Sequence, residues 1–229
     1  MPLVAHTSED GRIQPFFEHA TAVANLAAAY AAKFGAEGAA YTVGLLHDVG
    51  KCSPAGQARL LLHAPKVEHA AAGAEVLGSD PRGNPYSYLL AYCVAGHHAG
   101  LPDGGVSTDT EDCATLCAKL NRQQKRTRDY AAYELELDGP VPAIQPFLLP
   151  GSPKNRGFTY SFRTRMLFSC LVDADFLDTE SFMQNKPLRS GMGDPLEVLL
   201  DRLKTRLAAF GEPKDLIGEK RRTVQEDCL

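Results

Sequence analysis

The stretch Gly44-Leu45-Leu46-His47-Asp48-Val49-Gly50-Lys51 decides how this chain is read, because it closes an apolar helical segment with an imidazole beside a carboxylate. The residues before it, Ala40, Val43 and Leu46, recur at three and four, which is the period of an α-helix predicted over 37–48. Gly50, Ser53 and Pro54 then break that period and place His47 and Asp48 at a helix end. Neighbouring residues in mid-helix point about 100° apart. At a helix end the restriction relaxes, and a carboxylate that bridges two cations removes it. Asp48 is the candidate bridge.

Other candidate metal ligands fall on predicted helices. His19 lies in the first turn of a helix over 18–34, where Ala20, Val23, Ala24, Ala27, Ala31 and Phe34 form the apolar stripe and Gly35 the stop. His69 opens a helix over 68–77, and His97 and His98 end one over 86–98. A long helix over 159–182 carries Asp173 and Asp175. Two positions apart, only one of these carboxylates can face the others. Asp173 shares a face with Met166, Ser169, Cys170 and Leu177, a core-facing stripe where an unpaired carboxylate is costly, so Asp173 is the expected ligand. Neutral imidazoles mixed with carboxylates suit Fe, Mn, Co, Ni or Zn better than Mg. Lys51, one glycine beyond the pair, is placed to hold a phosphate as a point charge.

The remaining residues bound the class. A chain of 229 residues with 44% hydrophobic content can bury a full core and reads as one all-α domain, with almost no period-two alternation. Further helices are expected around 57–63, 108–126, 129–137 and 195–210, with a polar segment over 215–229. The stretch 139–157, rich in proline, reads as a long irregular loop. Net charge of −4 excludes a protein that coats nucleic acid by charge alone, although Lys119, Arg122, Lys125, Arg126, Arg128, Lys154, Arg156, Arg163 and Arg165 cluster enough to line a groove.

Six cysteines without a CxxC pair fit a reducing, cytoplasmic setting, and Cys113 and Cys117 read as buried thiols. No window has the apolar length to cross a bilayer, and no basic, apolar leader opens the chain. Gly50-Lys51 is no phosphate-binding Walker loop, since Leu45 and Cys52 stand where glycine and Ser or Thr are required, so ATP is not expected to bind. His6 and His63 read as surface or packing residues.

These residues resemble the HD superfamily of metal-dependent phosphohydrolases, and within it the nuclease part of the CRISPR-associated helicase-nuclease of type I systems. The likeness rests on Glu18-His19, the 44–51 stretch, Val67-Glu68-His69 with Gly73, Gly96-His97-His98-Ala99-Gly100-Leu101-Pro102-Asp103, and Leu171-Val172-Asp173-Ala174-Asp175, in the family's order. The resemblance implies an HD-domain helical bundle spanning 1–229 that hydrolyses DNA, chiefly single-stranded, exposed by a guide-RNA surveillance complex. It also implies a helicase domain or subunit as partner, and residues 215–229 resemble the start of a connector to one. By position, His19, His47, Asp48 and Asp173 would hold one ion and Asp48, His69, His97 and His98 the other, with Lys51 on phosphate. The same ligands would serve a phosphohydrolase of nucleotides or cyclic nucleotides, or a non-catalytic metal-stabilised docking module.

Overall fold

The computed structural model describes residues 2–78, 85–110, 112–124, 128–137, 155–189 and 194–228. They are mostly helical, as the apolar periodicity predicts, and the class is all-α. The chain divides into two compact units, Met1–Leu188 and Arg189–Leu229. Every candidate ligand lies in the first.

That unit opens with a feature the sequence pattern does not announce. Strands β1 (Val4–Thr7) and β2 (Ile13–Pro15) pair antiparallel, with His6 opposite Gln14. Gly11 turns the chain at φ +84°, a left-handed conformation that a side chain would strain. Arg12 then reaches across to the far end of the last long helix, donating to the carbonyls of Phe182 and Met183. Gln57 pins the other strand by accepting from the Val4 amide and donating to its carbonyl.

Helix α1 (Phe16–Ala31) buries Phe16, His19, Ala20, Val23, Ala24, Ala27 and Ala31, so its inner face is built largely from alanine. Small side chains let α2 (Glu37–Leu46) approach closely. A Cβ on Gly44 would sit inside the backbone of Ala24. Helix α2 stops at Leu46, short of the expected end at Asp48, so the His-Asp pair occupies the turn that leads into a 3-10 segment, Val49–Cys52. Ser53 accepts from the Gly56 amide and Pro54 takes the first position of α3 (Pro54–Leu62). His63 ends α3 in the left-handed conformation.

Helices α4 (Ala70–Gly78) and α5 (Pro85–Gly96) pack on each other, and α6 (Leu116–Gln124) packs on both. The expected start of α6 at Thr108 moves to Leu116, and the helix expected over 129–137 shrinks to a single turn, α7 (Tyr133–Glu136). Helix α8 (Arg156–Gln184) is the spine, packed on α1, α2 and α5. Of the irregular loop expected at 139–157, residues through 154 lie outside the described ones, and α8 has begun by 156. The core joins Phe16, Val23, Val43, Leu46, Leu90, Val94, Leu116, Leu167 and Leu171.

The second unit carries α9 (Leu196–Ala208) and α10 (Leu216–Cys228), so the polar segment expected over 215–229 is helix from Leu216 to Cys228. Among the described residues no helix is long and apolar enough to cross a membrane.

Candidate metal centre

Five structural elements deliver side chains to one point. His19 comes from the first turn of α1, His47 and Asp48 from the turn after α2, His69 from just before α4, His97 and His98 from just after α5, and Asp175 from the middle of α8. The close packing of these elements depends on glycine: a Cβ at Gly50 would run into the backbone of His69, and one at Gly73 into the carbonyl of Leu46.

Asp48 is the centre, and its side chain is 1% exposed. Its two carboxylate oxygens face different partners. Oδ2 lies 3.4 Å from His19 Nε2, 3.3 Å from His47 Nε2 and 2.6 Å from Lys51 Nζ. Oδ1 lies 3.2 Å from His69 Nε2 and 3.6 Å from His97 Nε2. Asp175 Oδ1 completes the first side, 3.4 Å from His19 Nε2 and 3.6 Å from His47 Nε2. His98 completes the second, its Nε2 being 2.8 Å from that of His69.

The imidazoles are oriented from behind. His47 Nδ1 donates to the Gly44 carbonyl at 2.7 Å, and His97 Nδ1 donates to the Val94 carbonyl at 2.7 Å. His19 Nδ1 lies 2.7 Å from Asp178 Oδ2. A carbonyl only accepts, so the proton of each neutral ring sits on Nδ1 and the Nε2 lone pair faces the cluster. The result is a knot of acceptors: two Nε2 atoms meet at 3.3 Å between His19 and His47, and two more between His69 and His98. Asp48 Oδ1 and His97 Nε2 are buried with no hydrogen-bond partner among the described residues. Converging lone pairs repel unless a proton or a cation stands among them, and buried unpaired acceptors are costly. The donor set fits a divalent metal. Ligand atoms from Asp48, His69, His97 and His98 form one compact group, and those from His19, His47 and Asp48 another.

Charge tells the same story. Burial opposes a charged imidazole, yet the carboxylates of Asp175, Asp178 and Asp48 outweigh it at His19 and raise its pKa to about 9. At His47 burial is likewise outweighed, by Asp48 and Asp175, and the pKa rises to about 10. Asp48 and Asp175 are held well below the carboxylate range: burial resists ionisation at each, but Lys51 and His47 overcome it at Asp48, and His19 and His47 at Asp175. The pocket therefore demands positive charge, which protons supply when no metal does. His98 goes the other way, to about 4, through burial and the nearby His97 and His69.

The structure brings His19, His47, Asp48, Lys51, His69, His97 and His98 together and leaves Asp173 out. Asp173 is exposed on α8, whose buried stripe is Thr164, Leu167, Leu171, Ala174 and Asp178, flanked by Cys170. Asp175, beside that stripe, enters the cluster where Asp173 was expected, and Met166, expected in the core, is 37% exposed. His6, expected at the surface or in packing, lies against the site: its Nε2 is 3.3 Å from Lys51 Nζ and its ring meets His19 edge-on at 4.6 Å. Burial, with Lys51 and His19 nearby, lowers its pKa to about 3. Its place depends on a four-residue strand, too short to show an alternating pattern.

Elsewhere, the basic residues expected to line a groove are partly engaged. Lys119 donates to the Ala95 carbonyl near the end of α5, Arg163 to the Phe34 carbonyl, and Arg128 pairs with buried Glu75 at 3.0 Å. Lys125, Arg126 and Lys154 lie outside the described residues. Cys113 and Cys117 are half-buried, not fully enclosed.

No curated protein matches the chain. The family model of the HD domain matches residues 16–129, a span that runs from the start of α1 past His98 and takes in the histidines of both ligand groups and Asp48. Members of that family bind divalent metals, and this chain has a His/Asp cluster able to hold one. The HD-domain match and the cluster together support a place for this chain among the HD-superfamily metal-dependent phosphohydrolases.

Proposed function

We propose that the chain is a two-ion phosphodiesterase that cuts DNA, chiefly single-stranded, in type I CRISPR interference. The observation that carries the two-ion part is the division of Asp48: one carboxylate oxygen faces His19, His47 and the neighbouring Asp175, and the other faces His69, His97 and the neighbouring His98. Asp48 would bridge, with His19, His47 and Asp175 holding one ion and His69, His97 and His98 the other. Transition-metal ions bound there would supply Lewis acidity and a water ionised near neutral pH.

The chain's own residues do the rest. Backbone carbonyls of Gly44 and Val94 take the Nδ1–H of His47 and His97, which turns each Nε2 inward toward the cluster. Lys51 Nζ, held between Asp48 Oδ2 and His6 Nε2, is poised to swing onto a substrate phosphate. Exposed His98, Ala99 and Gly100 open one side of the cluster to solvent, where a strand can approach. Support for DNA as substrate, and for a helicase and a guide-RNA complex as partners, comes from the ordered motifs between His19 and Asp175.

The test compares cutting of circular single-stranded DNA with turnover of mononucleotides and cyclic dinucleotides, for metal-loaded wild type and Asp48→Ala. Linearisation and degradation of the circle, lost in the variant, supports the proposal. Turnover of the small substrates alone makes the chain a nucleotide phosphohydrolase. Inactivity toward both, with metal bound, makes it a docking module.

A further inference from the structure

Asp178 is buried at 8% exposure, one helical turn beyond Asp175 on α8, and is not among the residues that form the ligand groups. The two carboxylates address opposite edges of one ring: Asp175 Oδ1 faces His19 Nε2, while Asp178 Oδ2 lies 2.7 Å from His19 Nδ1. Gln14, from β2, donates its Nε2 to the same Asp178 oxygen at 2.7 Å. His19 is fully buried. We propose that Asp178 and Gln14 form a positioning pair that fixes the tautomer of His19, and that this pair sets how tightly the His19 side of the centre holds its cation.

An ionised carboxylate only accepts hydrogen bonds, so a neutral His19 must present Nδ1–H to Asp178 and leave Nε2 bare toward Asp48. Gln14 spends its amide N–H on the oxygen that takes the imidazole proton, which holds that oxygen in line. The hairpin carrying Gln14 is itself tied to α8 by Arg12, whose guanidinium donates to Phe182 and Met183 and lies over the Phe182 ring at 5.0 Å. The strand pair thus reaches the centre from both strands, through Gln14 on Asp178 and through His6 against Lys51 and His19. His47 and His97 lean on backbone carbonyls instead, which no side-chain substitution can remove. Asp178 is therefore a lever on one half of the centre only.

The inference rests on reading the cluster as a metal centre, and its test separates the two. Zn²⁺ is titrated into chelator-stripped protein against a chromophoric competitor, for wild type, Asp178→Asn, Gln14→Leu and His69→Ala, while nitrogen-resolved NMR of the histidine rings follows the His19 Nδ1 proton. The expected result is a weakening of one of two bound ions by about 10–100-fold in Asp178→Asn, with the second ion unchanged and the Nδ1 proton shifted. Gln14→Leu weakens the same ion by a smaller factor, and His69→Ala weakens the other one. Zn²⁺ affinities within twofold of wild type in Asp178→Asn and Gln14→Leu overturn the inference while leaving the metal centre standing. Equal weakening of both ions also overturns it, since that marks a general structural defect. If Asp178→Asn does not fold, Gln14→Leu decides. A wild-type chain that takes up no Zn²⁺ removes the metal reading and the inference with it.

Discussion

Oδ1 of Asp48 lies 3.2 Å from Nε2 of His69 while Oδ2 of the same carboxylate lies 3.3 Å from Nε2 of His47, so one buried side chain touches two separate sets of imidazoles. Nothing in the local turn requires this. It follows from three elements being pressed together, with Gly44 against α1, Gly50 against the backbone of His69 and Gly73 against Leu46. The site is a product of tight packing, and its chemistry is exposed to test at each of those points.

Asp48→Ala removes the shared ligand. A bound cation contributes several kcal/mol of transition-state stabilisation, so phosphodiester cleavage is expected to fall about a thousand-fold or more. Steady-state cleavage of a single-stranded oligonucleotide measures it, with circular dichroism to show that the variant folds.

Asp175→Asn and Asp173→Asn separate the two acids of α8. Asp175 faces His19 and His47, whereas Asp173 is exposed. Loss of bound metal is expected in the first and a value near that of wild type in the second, read by elemental analysis after gel filtration. The opposite pattern would return the ligand role to Asp173.

Gly44→Ala tests the packing that brings α2 to α1. The added methyl has no space against the Ala24 backbone, so overpacking of about 1–3 kcal/mol is expected. A lowered thermal midpoint without change in the number of ions bound at low temperature checks it. A midpoint equal to that of wild type would show that the helices can part at no cost.

With metal stripped, stability is expected to peak near pH 6.5. His19 and His47 bind protons more tightly in the fold than their ordinary value of 6.5, so their contribution is present below that pH and is lost as the pH rises through about 9 and 10. His6 and His98, lowered to about 3 and about 4, stay neutral in the fold, so stability also falls as the pH drops below 6.5 toward those values. Saturating Zn²⁺ should abolish the alkaline loss, because ligation takes over the role of the protons. Urea midpoints across pH, with chelator and with Zn²⁺, measure both limbs.

How much of this was legible beforehand depended on the element. Helices with a broad apolar face, α1, α4, α5 and α8, follow their period closely. The Asp173 expectation failed because Cys170 and Leu171 are both buried, and reading the stripe through Cys170 and not Leu171 turns the face by one residue. The true stripe ends in Asp178, a buried carboxylate to which Gln14 donates and against which His19 Nδ1 lies. His6 and Gln14 were hidden for a different reason. Their hairpin is short, and its hold on the site comes from contacts to α3 and α8 that lie far along the chain. Histidines at helix ends announced the centre; residues placed by a helix stripe or a short hairpin, Asp175, Asp178, Gln14 and His6, did not.

A carboxylate of Asp48 shared by two ions couples their spins, which electron paramagnetic resonance of a Mn²⁺ titration reads. Wild type is expected to bind two Mn²⁺ per chain with the multiline signature of an exchange-coupled pair, reduced in Asp48→Asn to isolated ions. A single uncoupled six-line spectrum that saturates at one Mn²⁺ per chain in wild type would contradict it.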